Sequence, residues 1–256
     1  MSPVGAIVRK ELRSYFVSPV AYVVAFVFLI LTGLLSFLAI ATASNRSMQL
    51  LRVQGSLPEL NLNEFVFRPV FYNMAVILLL VVPILTMRLF AEEKKLKTME
   101  LLVTSPVTIT DIVVGKFVAA LTVFAGMLAL SAVAPVALAP FAEFRWPPIL
   151  TAYLGILLMG GLFLSAGLLG SSLTENQIIA VILSFGALLL FWLFGWAGQV
   201  FAGTALGKVL SYLSPLDHFD QLVKGLVATK DLVYFVAGIV FTLFLTHRVI
   251  ESQRWR

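Results

Sequence analysis

Charge in this chain is confined to islands, and the gaps between islands match the thickness of a bilayer. No Asp, Glu, Lys or Arg occurs between Arg13 and Arg46, Arg68 and Arg88, Lys116 and Glu143, Arg145 and Glu175, Glu175 and Lys208, or Asp231 and Arg248. A helix rising about 1.5 Å per residue needs about 20 apolar residues to cross the hydrocarbon core. Six such gaps in 256 residues leave almost no chain for a second domain. The expected fold class is all-α: one polytopic membrane domain over residues 1–256, with six transmembrane helices.

Composition narrows the function classes. Charged residues make up 12% of the chain, about half the share in soluble domains. A net charge of +5 would suggest nucleic acid in a soluble protein. Here the cations flank apolar spans, so the expected partner is the lipid bilayer and not nucleic acid. The absence of cysteine excludes disulfides, thiolate metal sites and lipidated cysteine. The basic start and the apolar run after it imitate a secretory signal. Val20–Ala43 is a full span, however, and exceeds the about 7–15 residues of a signal's apolar core.

Ser2 and Pro3 read as N-cap and first helical position. In the helix they open, Val4, Ile7, Val8, Leu12, Tyr15 and Phe16 share one face and Arg9, Lys10 and Arg13 the other. That pattern describes a helix lying in the membrane interface over residues 1–17. Glu11 falls among the apolar residues; the expectation is that it snorkels to water, with a specific polar partner as the alternative. The spans are read at residues 20–43, 70–87, 112–139, 149–173, 178–200 and 232–246. The third carries Pro135, which should kink its far end. The sixth covers only about 23 Å at helical rise, with Lys230 and Arg248 placed to snorkel. Six crossings put both termini on one side. That side carries more of the cations close to span ends, which places the termini in the cytoplasm.

Two connections are too long to be simple loops. The external segment 199–231 is half apolar and should form short helices capping the bundle. Within it, Ser214-Pro215-Leu216-Asp217 reads as N-cap, Pro at N1 and acidic N3, close to a capping box. The internal segment 88–111 carries the densest charge in the chain.

Catalytic chemistry finds little support. His218 lies in Asp217-His218-Phe219-Asp220, but two carboxylates and one histidine on a short helix do not converge on a metal. No G-x-S-x-G, H-E-x-x-H or paired intramembrane acids occur, so no catalytic residue is assigned. The span centres hold no ionisable residue, which argues against an ion-driven carrier. Gly115-Lys116-Phe117 lacks the remainder of a P-loop. The chain is not expected to be an enzyme or to hold a cofactor; if it moves something, the driving force comes from elsewhere.

Attention therefore falls on the internal segment. Glu92, Glu93, Lys94, Lys95 and Lys97 should extend the second span out of the membrane as a charged helical stalk. Thr98, Met99, Glu100, Leu101 and Leu102 then begin a short helix, and Ser105-Pro106 ends it, since a residue before proline resists the α conformation. Thr108 can cap the next helix, with Asp111 at N3. The residues alone leave two readings open: a surface helix offered to a partner, or a solvated loop.

These residues resemble a family. Arg88-x-x-x-Glu92-Glu93-Lys94, Thr98-Met99-Glu100-Leu101-Leu102, Ser105-Pro106 and Gly115-Lys116 are similar to the loop between the second and third spans of type-2 (ABC-2) ABC transporter permeases. Lys10-Glu11-Leu12-Arg13-Ser14-Tyr15-Phe16 resembles that family's interfacial helix. Leu216 through Lys224-Gly225, Asp231–Phe235 and Phe244–Thr246 resemble its gliding-motility (GldF-like) branch. The resemblance implies a permease subunit of an exporter in a bacterial inner membrane. A separate P-loop ATPase would hold the ATP and magnesium and seat the coupling helix. A second permease subunit, itself or a relative, would complete the membrane part. The gliding-motility likeness keeps open a non-transporting anchor that passes ATPase-driven movement to an envelope machine, with an accessory envelope protein as partner. One position departs from the family: Lys97 stands where a glycine usually precedes the Thr-x-Glu. Glycine would end the stalk by adopting the left-handed conformation, so the lysine should let the stalk run on or change the turn. Gly160, Gly161, Gly167 and Gly170 permit close helix packing, either within the chain or against a second copy.

Overall fold

A backbone group in hydrocarbon can bond only within its own segment or to protein around it, which limits spanning structures to helices and closed barrels. The computed structural model, described for residues 2–54, 61–98 and 107–253, is helical, with no strand among those residues. Its elements are α1 (Pro3–Val17), α2 (Pro19–Gln54), a π-turn at Asn63–Phe67 leading into α3 (Arg68–Thr86), α4 (Arg88–Lys95), α5 (Ile109–Ser131) and α6 (Val133–Leu138). They continue with α7 (Trp146–Ser172), α8 (Gln177–Val200), α9 (Ala205–Leu213), α10 (Pro215–Val223) and α11 (Thr229–Gln253). Six stretches are long and apolar enough to cross a membrane: Pro19–Arg52, Asn63–Lys95, Ile109–Leu138, Trp146–Ser172, Gln177–Val200 and Thr229–Gln253. They are called spans one to six below.

Local chemistry sets most of the ends. The Ser2 hydroxyl accepts from the Gly5 N–H at 3.3 Å. Ser18 is extended because Pro19 follows it, and this separates α1 from α2. Thr108 and Asp111 form a complete capping box, each side chain accepting from the other's backbone N–H at 3.1 Å. Pro135 has no N–H to give Ser131, and the third span breaks there into α5 and α6. Span one runs past its expected end at Ala43 through Arg46 and Arg52, because those charges stand outside the apolar core and nothing among them breaks a helix. Span six is 25 residues long, about 37 Å at helical rise, so the shortness inferred from its apolar stretch disappears.

Span four (α7) is the axis. It packs against α3, α5, α8, α10 and α11, and 67% of its apolar window is buried, against 17% for span one. Its glycines make that position possible. A Cβ on Gly160 would lie 2.2 Å from the Phe124 ring of α5, and one on Gly167 would lie 2.3 Å from Thr86 Oγ1 of α3. The small-residue row is therefore occupied by this chain's own helices.

Candidate functional site

The segment singled out by the sequence begins where span two ends. Pro83 lies one turn before that end, and at Met87 the helix breaks. The Phe90 and Ala91 N–H groups both donate to Ser171 Oγ of α7 at 3.1 Å, and Ser171 donates to the Met87 carbonyl at 3.0 Å. A side chain inserted into the helix ladder is an established cause of a kink. The stalk is thus a separate helix, α4, and the break before it is held by a hydroxyl from span four. It is not the free charged extension expected from sequence: Leu89, Phe90, Ala91 and Glu93 are buried, and Lys94 donates to the Ser172 carbonyl. Glu92 and Thr98 are half-buried.

Lys97 does not let the stalk run on. Its φ is +56°, the left-handed conformation that glycine usually supplies. The Thr98 N–H reaches the Glu93 carbonyl and the Lys97 N–H the Lys94 carbonyl, each at 3.0 Å. These two bonds are the Schellman pattern. The bonds hold the turn although a side chain at that φ costs about 1–2 kcal/mol. Of the remaining predicted residues, Met99, Glu100, Leu101, Leu102, Ser105 and Pro106 lie outside the described residues.

Behind this turn sits a four-charge cluster. Lys116 Nζ of α5 lies 2.8 Å from Glu11 Oε1 of α1 and 2.9 Å from Glu93 Oε2 of α4. Lys10 Nζ reaches Glu93 Oε1 at 2.7 Å and Glu11 at 3.6 Å. Lys116 is 1% exposed, Glu11 7% and Glu93 8%. Burial disfavours the charged form of Lys10, but its hydrogen bond to Glu93 and the charges of Glu93 and Glu11 outweigh this and hold its pKa above the ordinary lysine value. Glu11 therefore does not snorkel; the alternative of a specific partner is the one realised. Gly115 allows the approach, since a Cβ there would lie 2.7 Å from Ile7 of α1. The Tyr15 hydroxyl also donates to the Leu85 carbonyl at 2.8 Å, tying α1 to span two. Arg9 and Arg13 remain exposed on the outer face of α1.

The opposite face carries two further polar clusters. His218 Nδ1 lies 2.6 Å from Asp231 Oδ1, and its Nε2 lies 3.0 Å from the Tyr212 carbonyl. A carbonyl can only accept, so Nε2 donates. The ring stacks on Tyr234 at 4.0 Å. This pair pins α10 to the start of span six. Asp220 accepts from Arg68 at 3.0 Å and from Tyr72, and pairs with Lys224. Burial would raise the Asp220 carboxyl, but the hydrogen bonds from Lys224 and Tyr72 and the nearby cations outweigh it and hold the carboxyl below its ordinary range. Ser214 occupies the cap position before Pro215, yet its hydroxyl bonds none of the helix N–H groups. It is buried without a partner and turned against Gly195 of span five. Asp217 stands in the first turn, its carboxyl raised chiefly by burial. The described residues hold no group of three or more histidines or carboxylates placed to bind a metal.

The six long apolar helices, the N-terminal α1 and the cluster behind the 98–107 connection stand together with a match along the sequence. Residues 5–249 fit the family described as ABC-2 family transporter protein. The chain belongs to that family. No curated protein matches it significantly. As an ABC-2 protein it is the multi-pass membrane subunit of an ABC transporter, a class that works with an ATP-binding partner subunit. Sequence reasoning singled out Glu11, Glu93 and Gly115-Lys116 separately. It missed that Glu11, Glu93 and Lys116 meet together with Lys10, because the Lys116–Glu11 and Lys10–Glu93 contacts join positions 105 and 83 residues apart. The one available signal was a charged residue, Glu11, on an otherwise apolar helix face.

Proposed function

We propose that this ABC-2 protein is the permease subunit of an exporter whose partner ATPase docks on the face carrying the termini, and that this face is cytoplasmic. The observation that supports the reading is the Lys10–Glu11–Glu93–Lys116 cluster. Movement of a partner seated on Thr98, Met99, Glu100, Leu101, Leu102, Ser105 and Pro106 enters α4 on one side and α5 on the other. The cluster makes α1, α4 and α5 respond as one body, and the Ser171 hinge is where α4 can change its angle to span two. Glu92, Glu93 and Lys94 belong to this lever rather than to a catalytic site. ATP and magnesium reside in the ATPase, and a second permease subunit, a copy of this chain or a relative, pairs with this one within the membrane. The terminal residues that resemble the gliding-motility branch support a second reading, in which the same lever does mechanical work on an envelope protein.

The test is purification of the tagged chain from its native host in mild detergent, with Leu101→Asp and Glu100→Lys alongside. The expected result is a P-loop ATPase that accompanies the wild-type chain and is lost from both variants. An intact complex without any ATPase overturns the proposal, and a companion envelope protein in its place favours the second reading.

A further inference from the structure

Between α1, the start of span one and the α3–α4 junction lies a cavity of about 500 Å³. Among the described residues, two that line it carry charges with no counter-charge. Arg88 and Glu92 form no ion pair among the described residues, whereas Lys10, Glu11, Glu93 and Lys116 around the same cavity are all paired. Arg88 and Glu92 are four residues apart, a spacing at which opposite charges on a helix ordinarily meet. Instead, the Arg88 guanidinium turns to Ser18 Oγ at 3.0 Å, and its Nε is buried without a partner. A buried donor left unpaired is costly, so Arg88 is placed for a further acceptor, with the half-buried Glu92 carboxylate one turn away.

The rest of the cavity states what that is. Its wall includes Val17, Val20, Ile84 and Leu85, and Val17 and Ile84 are exposed at the bundle surface. The cavity therefore has a charged half beside the interfacial helix and an apolar half open at the depth where span one begins. A ligand there needs an anion for Arg88, a cation for Glu92 and hydrocarbon for the apolar wall. Guanidinium–phosphate contacts are charge-assisted and geometrically specific, and a primary ammonium is the matching partner for an isolated carboxylate.

We propose that this cavity seats a phospholipid with a primary-amine headgroup, its phosphate on Arg88, its ammonium on Glu92 and its acyl chains along Val17, Val20, Ile84 and Leu85. The lipid wedges between α1 and the stalk and completes the packing around the hinge. The inference requires only that the chain spans a membrane and is independent of the ATPase reading.

Native mass spectrometry of the full chain, titrated with phosphatidylethanolamine, phosphatidylglycerol of the same acyl chains, or inorganic phosphate, tests it. The wild-type chain should bind the amine lipid about tenfold more tightly than the glycerol lipid, the worth of one charge-assisted bond. Glu92→Gln should abolish that preference, and Arg88→Gln should weaken both lipids by about tenfold or more. Ala21→Trp, which fills the cavity without touching a charge, should displace both, and it carries the test if Arg88→Gln does not fold. Equal binding of the two lipids to the wild-type chain, or a preference that survives Glu92→Gln, overturns the proposal. Displacement of the lipid by inorganic phosphate also overturns it, in favour of a free-anion site.

Discussion

Replacing Lys116 with methionine keeps an unbranched apolar stem and deletes the ammonium. Two buried carboxylates, Glu11 and Glu93, are then left to share Lys10, which already touches both at 3.6 and 2.7 Å. Breaking a buried pair from one side costs about 3–5 kcal/mol, because a charge stays buried. The surviving lysine places this variant at the low end, about 3 kcal/mol. Chains of this size lose about 2–4 °C of melting temperature per kcal/mol, so the drop should be about 6–12 °C. Thermal unfolding of the purified chain in detergent, followed by circular dichroism, reads it. Glu11→Gln in the same background should recover part of the loss, because it removes the stranded charge. The cycle should then show a coupling of about 1–2 kcal/mol. A drop below about 2 °C for Lys116→Met, or strict additivity of the two changes, would refute the view that these charges bind three helices together.

Other perturbations read other joints. Ser171→Ala leaves the Phe90 and Ala91 N–H groups and the Met87 carbonyl without their shared partner; it should cost about 2 kcal/mol or more and speed hydrogen exchange at those two amides. Lys97→Gly relieves the left-handed strain at φ +56° and should raise the melting temperature by about 2–4 °C, the equivalent of about 1 kcal/mol. Asp220 has a depressed carboxyl, so its contribution is present above its unfolded value of 3.8 and fades as pH falls through the folded value. Asp220→Asn should accordingly flatten the acid limb of the stability profile measured below about pH 4.

Much of this architecture is legible in the sequence because hydrocarbon imposes a simple rule on charge. Arg13, Arg46, Arg68 and Arg88 mark out spans one and two, and local cap chemistry at Ser2 and at Thr108 with Asp111 fixes two helix starts. Illegible were the features that depend on which helix meets which. Ser171 reads as one more small residue in an apolar run, yet it bonds both sides of the break at Met87 in span two. Lys97 reads as a loss of the turn that glycine would give, yet the Glu93 and Lys94 carbonyls impose the same turn. Asp231 reads as the edge of a charge island, yet it is 1% exposed against His218. Ser214 has the residue type of a cap, yet its hydroxyl lies against Gly195 of span five and bonds none of the helix N–H groups.

The absence of cysteine from the sequence makes docking of an ATPase at the 98–107 connection directly measurable. A single Leu101→Cys, carried by the full chain in its native membrane, would be crosslinked with a short thiol-to-amine reagent, with Lys208→Cys on the opposite face as the companion probe. An adduct with a P-loop ATPase is expected from position 101 and none from position 208. An ATPase adduct from position 208, or none from position 101 while the ATPase still co-purifies with the chain, would contradict it.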